Sequence, residues 1–309
     1  IVSSYANIMN ILLTWLTIDS NQEPRQPGNP TRDDPCISPV SLSPVSTYVD
    51  RPALSKEIRT KMAKSCGNKS LVHALAVTGL GGTGKTQLVL HYIEQHKQKY
   101  DTILWIDALD EASVRSSFVR CCNALSIYFE REQNSGPVYD ASSVQDLQQW
   151  LASRAEYQKW LVVLDNAGTF DHLNRIVPWN KSAGSVAVTS QDGKAAKVFP
   201  GARTLVIDKM EIEEAKTLLA QCMIISLPGA HCEAMSLLEE GVHRLDGIAL
   251  AIELAGAHIQ NDLNIGDDGQ KADASERVVA GLKQYIVDLE HHKKSVLSDS
   301  AHNDASSYK

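Results

Sequence analysis

The stretch Gly79–Leu88, "GLGGTGKTQL", restricts the fold more than any other part of the chain. It follows the apolar run "LVHALAVTG" (Leu71–Gly79) and leads into Lys85–Tyr100, where Leu88 pairs with Tyr92 and Val89 with Ile93 at i,i+4 spacing. The run reads as a buried strand and the later pattern as an amphipathic helix. A strand followed by a helix is a βα unit, and such units build parallel sheets. The glycines between them allow dihedrals and a closeness of approach that a Cβ would block. Backbone N–H groups laid bare this way, with a helix N-terminus behind them, suit a dense anion. Gly79-x-x-x-x-Gly84-Lys85-Thr86 is the spacing of a phosphate loop. Gly79, Gly81, Gly82, Thr83, Gly84 and Gln87 are expected around the phosphates, Lys85 as their mobile counter-charge, and Thr86 as a hydroxyl for Mg²⁺.

Four more apolar runs follow: "TILWID" (Thr102–Asp107), "WLVVLD" (Trp160–Asp165), "SVAVTS" (Ser185–Ser190) and "TLVI" (Thr204–Ile207). Helical patterns over Glu111 to Tyr128 and Ser143–Lys159 lie between them. Beyond Asp208 strand signals stop, and Glu211–Cys222, Cys232–Leu245, Ile248–Ile259 and Ala274–Leu297 read as helices, the first opening on the acidic turn "EIEEAK". The expected fold is α/β: a parallel five-stranded sheet flanked by helices over residues 47–208, then a small all-helical domain over 209–297. Trp105 and Trp160 are expected in the core, one of Cys121 and Cys122 facing it, and His91 and His96 solvated on the polar side of their helix.

The flanks read differently. Residues 21–46 carry six prolines and form a linker, and 298–309 are a polar tail. Residues 1–20 are apolar, but Ser3, Ser4, Asn7, Asn10 and Thr14 interrupt them and no basic residue flanks them closely. They are read as the remnant of an upstream region, not a membrane span, in a chain that starts at Ile1 and is either a fragment or a truncated gene product. A net charge of -7 argues against a general nucleic-acid or anionic-membrane surface. Six cysteines without a C-x-x-C suit reduced thiols in a cytoplasmic protein, and Cys222, His231 and Cys232 lack a fourth ligand for structural zinc.

"KWLVVLDNAG" is an apolar strand that ends in an acid. A carboxylate at the C-terminal edge of a parallel strand can hold a magnesium shell, so Asp165 joins Thr86 as an expected metal residue. Asp165 and Asn166 are also the candidate catalytic positions. The amide of Asn166 can orient water but cannot accept its proton, which leaves Asp171 or Glu111 as substitutes.

Taken in order, "YVDRPAL" (Tyr48–Leu54), "GLGGTGKTQL", "YDTILWIDA", "LVVLDNA", "GSVAVTSQD" and "LDGIALAIELAGAHI" (Leu245–Ile259) resemble the NB-ARC family of signal-transducing (STAND) P-loop NTPases, in its fungal NLR-like type. The resemblance spans about residues 47–297. It implies that Val49, Asp50 and Arg51 lie along an adenine, with Asp50 where glycine is usual. It places Thr189, Ser190 and Gln191 as the sensor after the fourth strand, with Gln191 in place of an arginine. Gly247, Ile248, Ala249 and Leu250 match the Gly-Leu-Pro-Leu motif, of which Ile248 and Ala249 are expected at the nucleotide. Asn166 stands where many members have a second acid.

The resemblance further implies an ADP- or ATP-binding molecular switch that uses Mg²⁺, hydrolyses slowly or not at all, and forms a homo-oligomer on activation. It implies effector and repeat domains in a full-length protein that this chain does not carry. An active P-loop ATPase and a truncated, non-catalytic interaction module are the alternatives.

Overall fold

The computed structural model describes residues 43–63, 72–124, 147, 149, 151, 159–168, 184–198, 201–223, 232–262 and 276–291, all within one compact unit, Pro35–Lys309. The expectations for residues 1–20, for most of the linker, for the tail and for Asp171 and His231 lie outside the described residues. Among those described, no helix is long and apolar enough to cross a membrane.

Five strands, β1 (His73–Thr78), β2 (Thr102–Asp107), β3 (Trp160–Asp165), β4 (Ser185–Ser190) and β5 (Arg203–Val206), form one parallel sheet in the order β2-β3-β4-β1-β5. The strands are apolar along nearly their whole length because helices cover both faces. One face carries Leu104, Ile106, Val162, Leu164, Val186 and Val188 against Val114 and Phe118 of α3 (Glu111–Ala124) and the helical residues Leu147 and Leu151. The other carries Ile103, Leu161, Val163, Leu75, Val77 and Ala187 against α1 (Pro52–Met62) and α2 (Lys85–His96). The expected α/β architecture is thus present, and its alternating pleat decides which strand-end residues share a face.

Helix α1 is a helix that the sequence reading left out. Its proline sits in the first turn, where the missing N–H costs nothing, and Ile58 and Met62 bury one turn apart. The helix expected over Lys85–Tyr100 ends sooner. It passes into a 3-10 turn, Lys97–Lys99, so that Tyr100 folds inward and its hydroxyl meets that of Tyr92 at 2.8 Å. The expected solvation of His91 and His96 is corrected. The His91 ring packs 4.6 Å from that of Tyr48, because residues 45–51 lie over this side of α2. His96 stacks on Tyr92, and burial lowers its pKa. Cys121 is fully buried in the core, as is Trp160, while Trp105 is half-buried.

A short α4 (Ala195–Val198) lies between β4 and β5, and beyond the sheet come α5 (Ile212–Cys222), α6 (Cys232–Arg244), α7 (Ala249–Asp262) and a last helix over 276–291. They share a second apolar core around Leu219, Leu238, Ile252 and Leu282. The acidic start of α5 is a capping box: Glu211 and Glu214 each bond the other's backbone N–H. Among the described residues no group of three or more His, Cys, Asp or Glu is placed to hold a metal, and Cys222 is a free, buried thiol.

Gly184, just before β4, lies under the indole of Trp160: a Cβ there would come within 2.0 Å of the ring. Gly184→Ala is expected to cost about 1–3 kcal/mol through overpacking. Urea denaturation should show the loss as a lower midpoint with an unchanged slope.

Candidate functional site

The glycine loop leaves the C-terminal end of β1, where Thr78 pairs with Ser190 of β4. Its turns need left-handed backbone at Gly79 (φ 152°), Gly82 (77°) and Gly84 (91°). The loop is also gripped from two sides. A Cβ on Gly79 would come 2.2 Å from the carbonyl oxygen of Ile207, and one on Gly82 2.9 Å from Cβ of Leu250. Gly84 caps α2 without a side-chain bond, so its backbone leaves the helix N-terminus bare.

Lys85 is 9% exposed, and its ammonium donates to the carbonyls of Gly79 (3.0 Å) and Leu80 (2.6 Å). Burial lowers its pKa, and the nearby Asp165 opposes that shift. Thr83 donates its hydroxyl to Leu80 O at 2.9 Å and braces the loop from within. Gln191 lies beside Gly81, where an added Cβ would sit 3.4 Å from its amide nitrogen.

Asp165 ends β3 with its carboxylate in a small cage. Its Oδ1 accepts from Thr86 Oγ1 at 2.9 Å and from Thr189 Oγ1 at 2.6 Å. Thr189 in turn accepts the N–H of Asn166 at 2.7 Å, which holds Asn166 in left-handed backbone at φ 58°. Ser190 donates to Ala167 O and accepts from Asp192 N–H. Thr189 and Ser190 therefore shape the turn around Asp165, and Gln191 is the residue of the three that reaches the glycine loop. Burial raises the Asp165 pKa, the hydroxyl bonds lower it, and Asp107 raises it again. A carboxylate disfavoured in this way, 2.9 Å from a threonine hydroxyl, is a donor set that a hard divalent cation fits.

A crevice with roughly 480 Å³ of empty space opens next to Gly84. One wall is the strap of residues 45–51, another α2 at Gln87 and Leu88, and a third Ala249 and Glu253 of α7, with Ile207, Met210 and Leu218 at its base. The strap is fastened at three points. Val45 N–H donates to Gln87 Oε1 (3.0 Å), Thr47 Oγ1 to Glu253 Oε1 (3.2 Å), and Arg51 Nε to Glu214 Oε2 (2.9 Å). Arg51 also donates to the carbonyls of Asp208 and Lys209, so its guanidinium serves as a fastener, while Val49 packs on the helical core. Asp50 accepts from Ser55 Oγ and lies 3.4 Å from His91, away from the crevice. Ile248 touches Gly82, and Leu250 N–H donates to Gly82 O at 3.0 Å.

Sequence reasoning missed Val45, assigned to the linker, along with Thr47, Met210, Leu218 and Glu253. Their contributions depend on tertiary contacts that carry no local pattern. Glu111, offered as a substitute acid, is exposed at the start of α3 beside Arg115.

A parallel sheet in this strand order, with a glycine loop gripping a lysine and a strand-end aspartate bonded to the next threonine, defines a P-loop NTPase fold. The family model for the NB-ARC domain matches residues 53–225, and the chain belongs to the NB-ARC family. A nucleotide-binding leucine-rich repeat (NLR)-like protein of Hyaloscypha variabilis is 26% identical over 212 residues, 62% of this chain and 20% of that protein. The chain thus spans about a fifth of that relative's length. Among solved structures, Cdc6p from Pyrobaculum aerophilum aligns with a TM-score of 0.51 at 14% identity, covering 71% of this chain and 63% of that one. A signal transduction ATPase with numerous domains (STAND) from Pyrococcus horikoshii aligns with a TM-score of 0.42 at 14% identity, covering 76% and 32%.

Arg51→Ala should release the strap. With the charged bond to Glu214 and two carbonyl bonds gone, a loss of about 2 kcal/mol in unfolding free energy is expected. Chemical denaturation of the two proteins side by side checks it, and an unchanged midpoint would show that the strap is held elsewhere.

Proposed function

We propose that this domain is an adenine-nucleotide switch of the NB-ARC type, with slow ATP hydrolysis that resets it. The observation that carries the reading is the joining of the glycine loop to both lobes: Gly79 packs on the carbonyl after β5, and Gly82 O accepts the N–H of Leu250 in the helical part. A ligand that engages the loop therefore acts on the sheet and the helical core together. This is the mechanical requirement of a switch.

The residues fit the ligand. Bare amides at the start of α2 and the ammonium of Lys85 suit the phosphates, with Lys85 exchanging loop carbonyls for phosphate oxygens. The apolar crevice beside Gly84, walled by Val45, Val49 and Ala249, suits the base. Thr86 and Asp165 would hold Mg²⁺ or its waters, and the ion would supply charge neutralisation on the phosphates. Thr189 keeps the Asp165 carboxylate oriented. Asn166 has no proton-accepting group, and Gln191 offers neutral bonds in place of charged ones, so fast turnover is not built in.

The similarity to an NLR-like protein supports a place in signal transduction, and the fragment of that relative's length supports effector and repeat regions beyond this domain. Oligomerisation on activation and a cytoplasmic setting belong to the same proposal.

Denaturing the purified protein and chromatographing the supernatant should release ADP. Titration with labelled ADP should show about 10- to 100-fold weaker binding for Lys85→Ala, the equivalent of about 1.5–3 kcal/mol for charged hydrogen bonds. Equal affinity in the two proteins, with no nucleotide released, would leave the interaction-module reading standing. Turnover near the ~10 s⁻¹ typical of enzymes would instead favour a true ATPase.

A further inference from the structure

Position 166 lacks the second acid, yet the sheet supplies a carboxylate one strand away. Asp107 ends β2 as Asp165 ends β3, and the two are register partners. The pleat places both on one face. Ile103 and Trp105 of β2, and Leu161 and Val163 of β3, face the core under α2, so Asp107 and Asp165, two residues further along, face the same way. That face is the one whose helix begins with Lys85 and Thr86.

The pair is held rigidly. Beyond the last ladder position, Ala108 N–H donates to Asp165 O at 2.7 Å, and Gly168 N–H donates to Ala108 O at 3.4 Å. The two strand ends thus lie side by side, with neighbouring strands roughly 4.8 Å apart along the hydrogen-bonding direction. They differ in what surrounds them. Asp165 has its Oδ1 committed to two hydroxyls. Asp107 Oδ1 accepts only the N–H of Leu109, at 3.1 Å, and among the described residues no other donor reaches the group. Among the described residues, the second oxygen of Asp107 thus has no partner, at the end of the sheet where Thr86 meets Asp165. Glu111 is exposed and paired with Arg115.

On the nucleotide reading given above, we propose that Asp107 is the carboxylate that accepts the proton of the hydrolytic water, in place of the acid missing at position 166. In the step, the water oxygen bonds to the γ-phosphorus of ATP. The bond from that phosphorus to the β,γ-bridging oxygen breaks, and its electron pair leaves with ADP. One water proton passes to Asp107 and from there to solvent. Asp107 sits on the neighbouring strand, one strand further from the loop than Asp165, which suits a slow reset.

Asp107→Asn is the discriminating variant, because its amide oxygen can still accept from Leu109 and keep the turn. With magnesium and ATP, single-turnover hydrolysis should fall about a hundredfold, the usual scale for a lost general base. ATP affinity by calorimetry should stay at the wild-type value, and protein loaded with ATP, then desalted and denatured, should release ATP where the wild type releases ADP. Asp107→Glu should restore most of the turnover. Wild-type turnover in Asp107→Asn, or a wild type that binds ATP and never cleaves it, would overturn the assignment of Asp107 and leave the binding site intact. If the wild type binds ATP no better than Lys85→Ala, the nucleotide reading itself fails, and this inference with it.

Discussion

The hydrogen bond from Leu250 N–H to Gly82 O is the contact on which the rest depends. It joins a left-handed turn of the loop, at φ 77°, to the first turn of a helix whose buried residues Ile252, Ala255 and Ile259 belong to a separate apolar core. On the far side, Gly79 lies against the Ile207 carbonyl, in space that no side chain could share. The loop is thus held between β5 and α7. Any change in its curvature must be taken up by one of them, since packed cores switch between arrangements more readily than they stretch.

Polar groups near this loop are arranged to position a few charges. Thr86 and Thr189 orient the Asp165 carboxylate, Ser190 steadies the turn behind it, and Glu214 serves both the helix cap and Arg51. The segment before α1 gains its importance in the same way. Its residues are few, but Val45, Thr47 and Arg51 bond three different helices, α2 at Gln87, α7 at Glu253 and α5 at Glu214. A segment tied at three separate points links whatever precedes it in the chain to the site.

Much of this was legible in the residues. Strands announced themselves because burial on both faces demands unbroken apolar runs, as in "WLVVLD" and "SVAVTS". The loop was legible because few arrangements need glycine at 79, 82 and 84 followed by lysine. What stayed hidden were roles fixed by partners remote in sequence. Arg51 was expected along the base; it lines the crevice, and its guanidinium also fastens the strap to residues some 160 positions away, a role no local pattern carries. His91 looked solvated because its helix face is polar, but Tyr48 covers it. Asp107 looked like the end of one more strand. Only the parallel register with β3, which no single-strand pattern encodes, sets it beside Asp165.

Hydrogen exchange with and without ADP and magnesium tests the central claim most directly, because it reads the loop and both lobes in one experiment. The account predicts that nucleotide slows exchange at the same time in three segments: residues 79–90, the strap 45–51, and the start of α7 around 248–253. Protection confined to one of these segments, or no protection at all at saturating nucleotide, would contradict it.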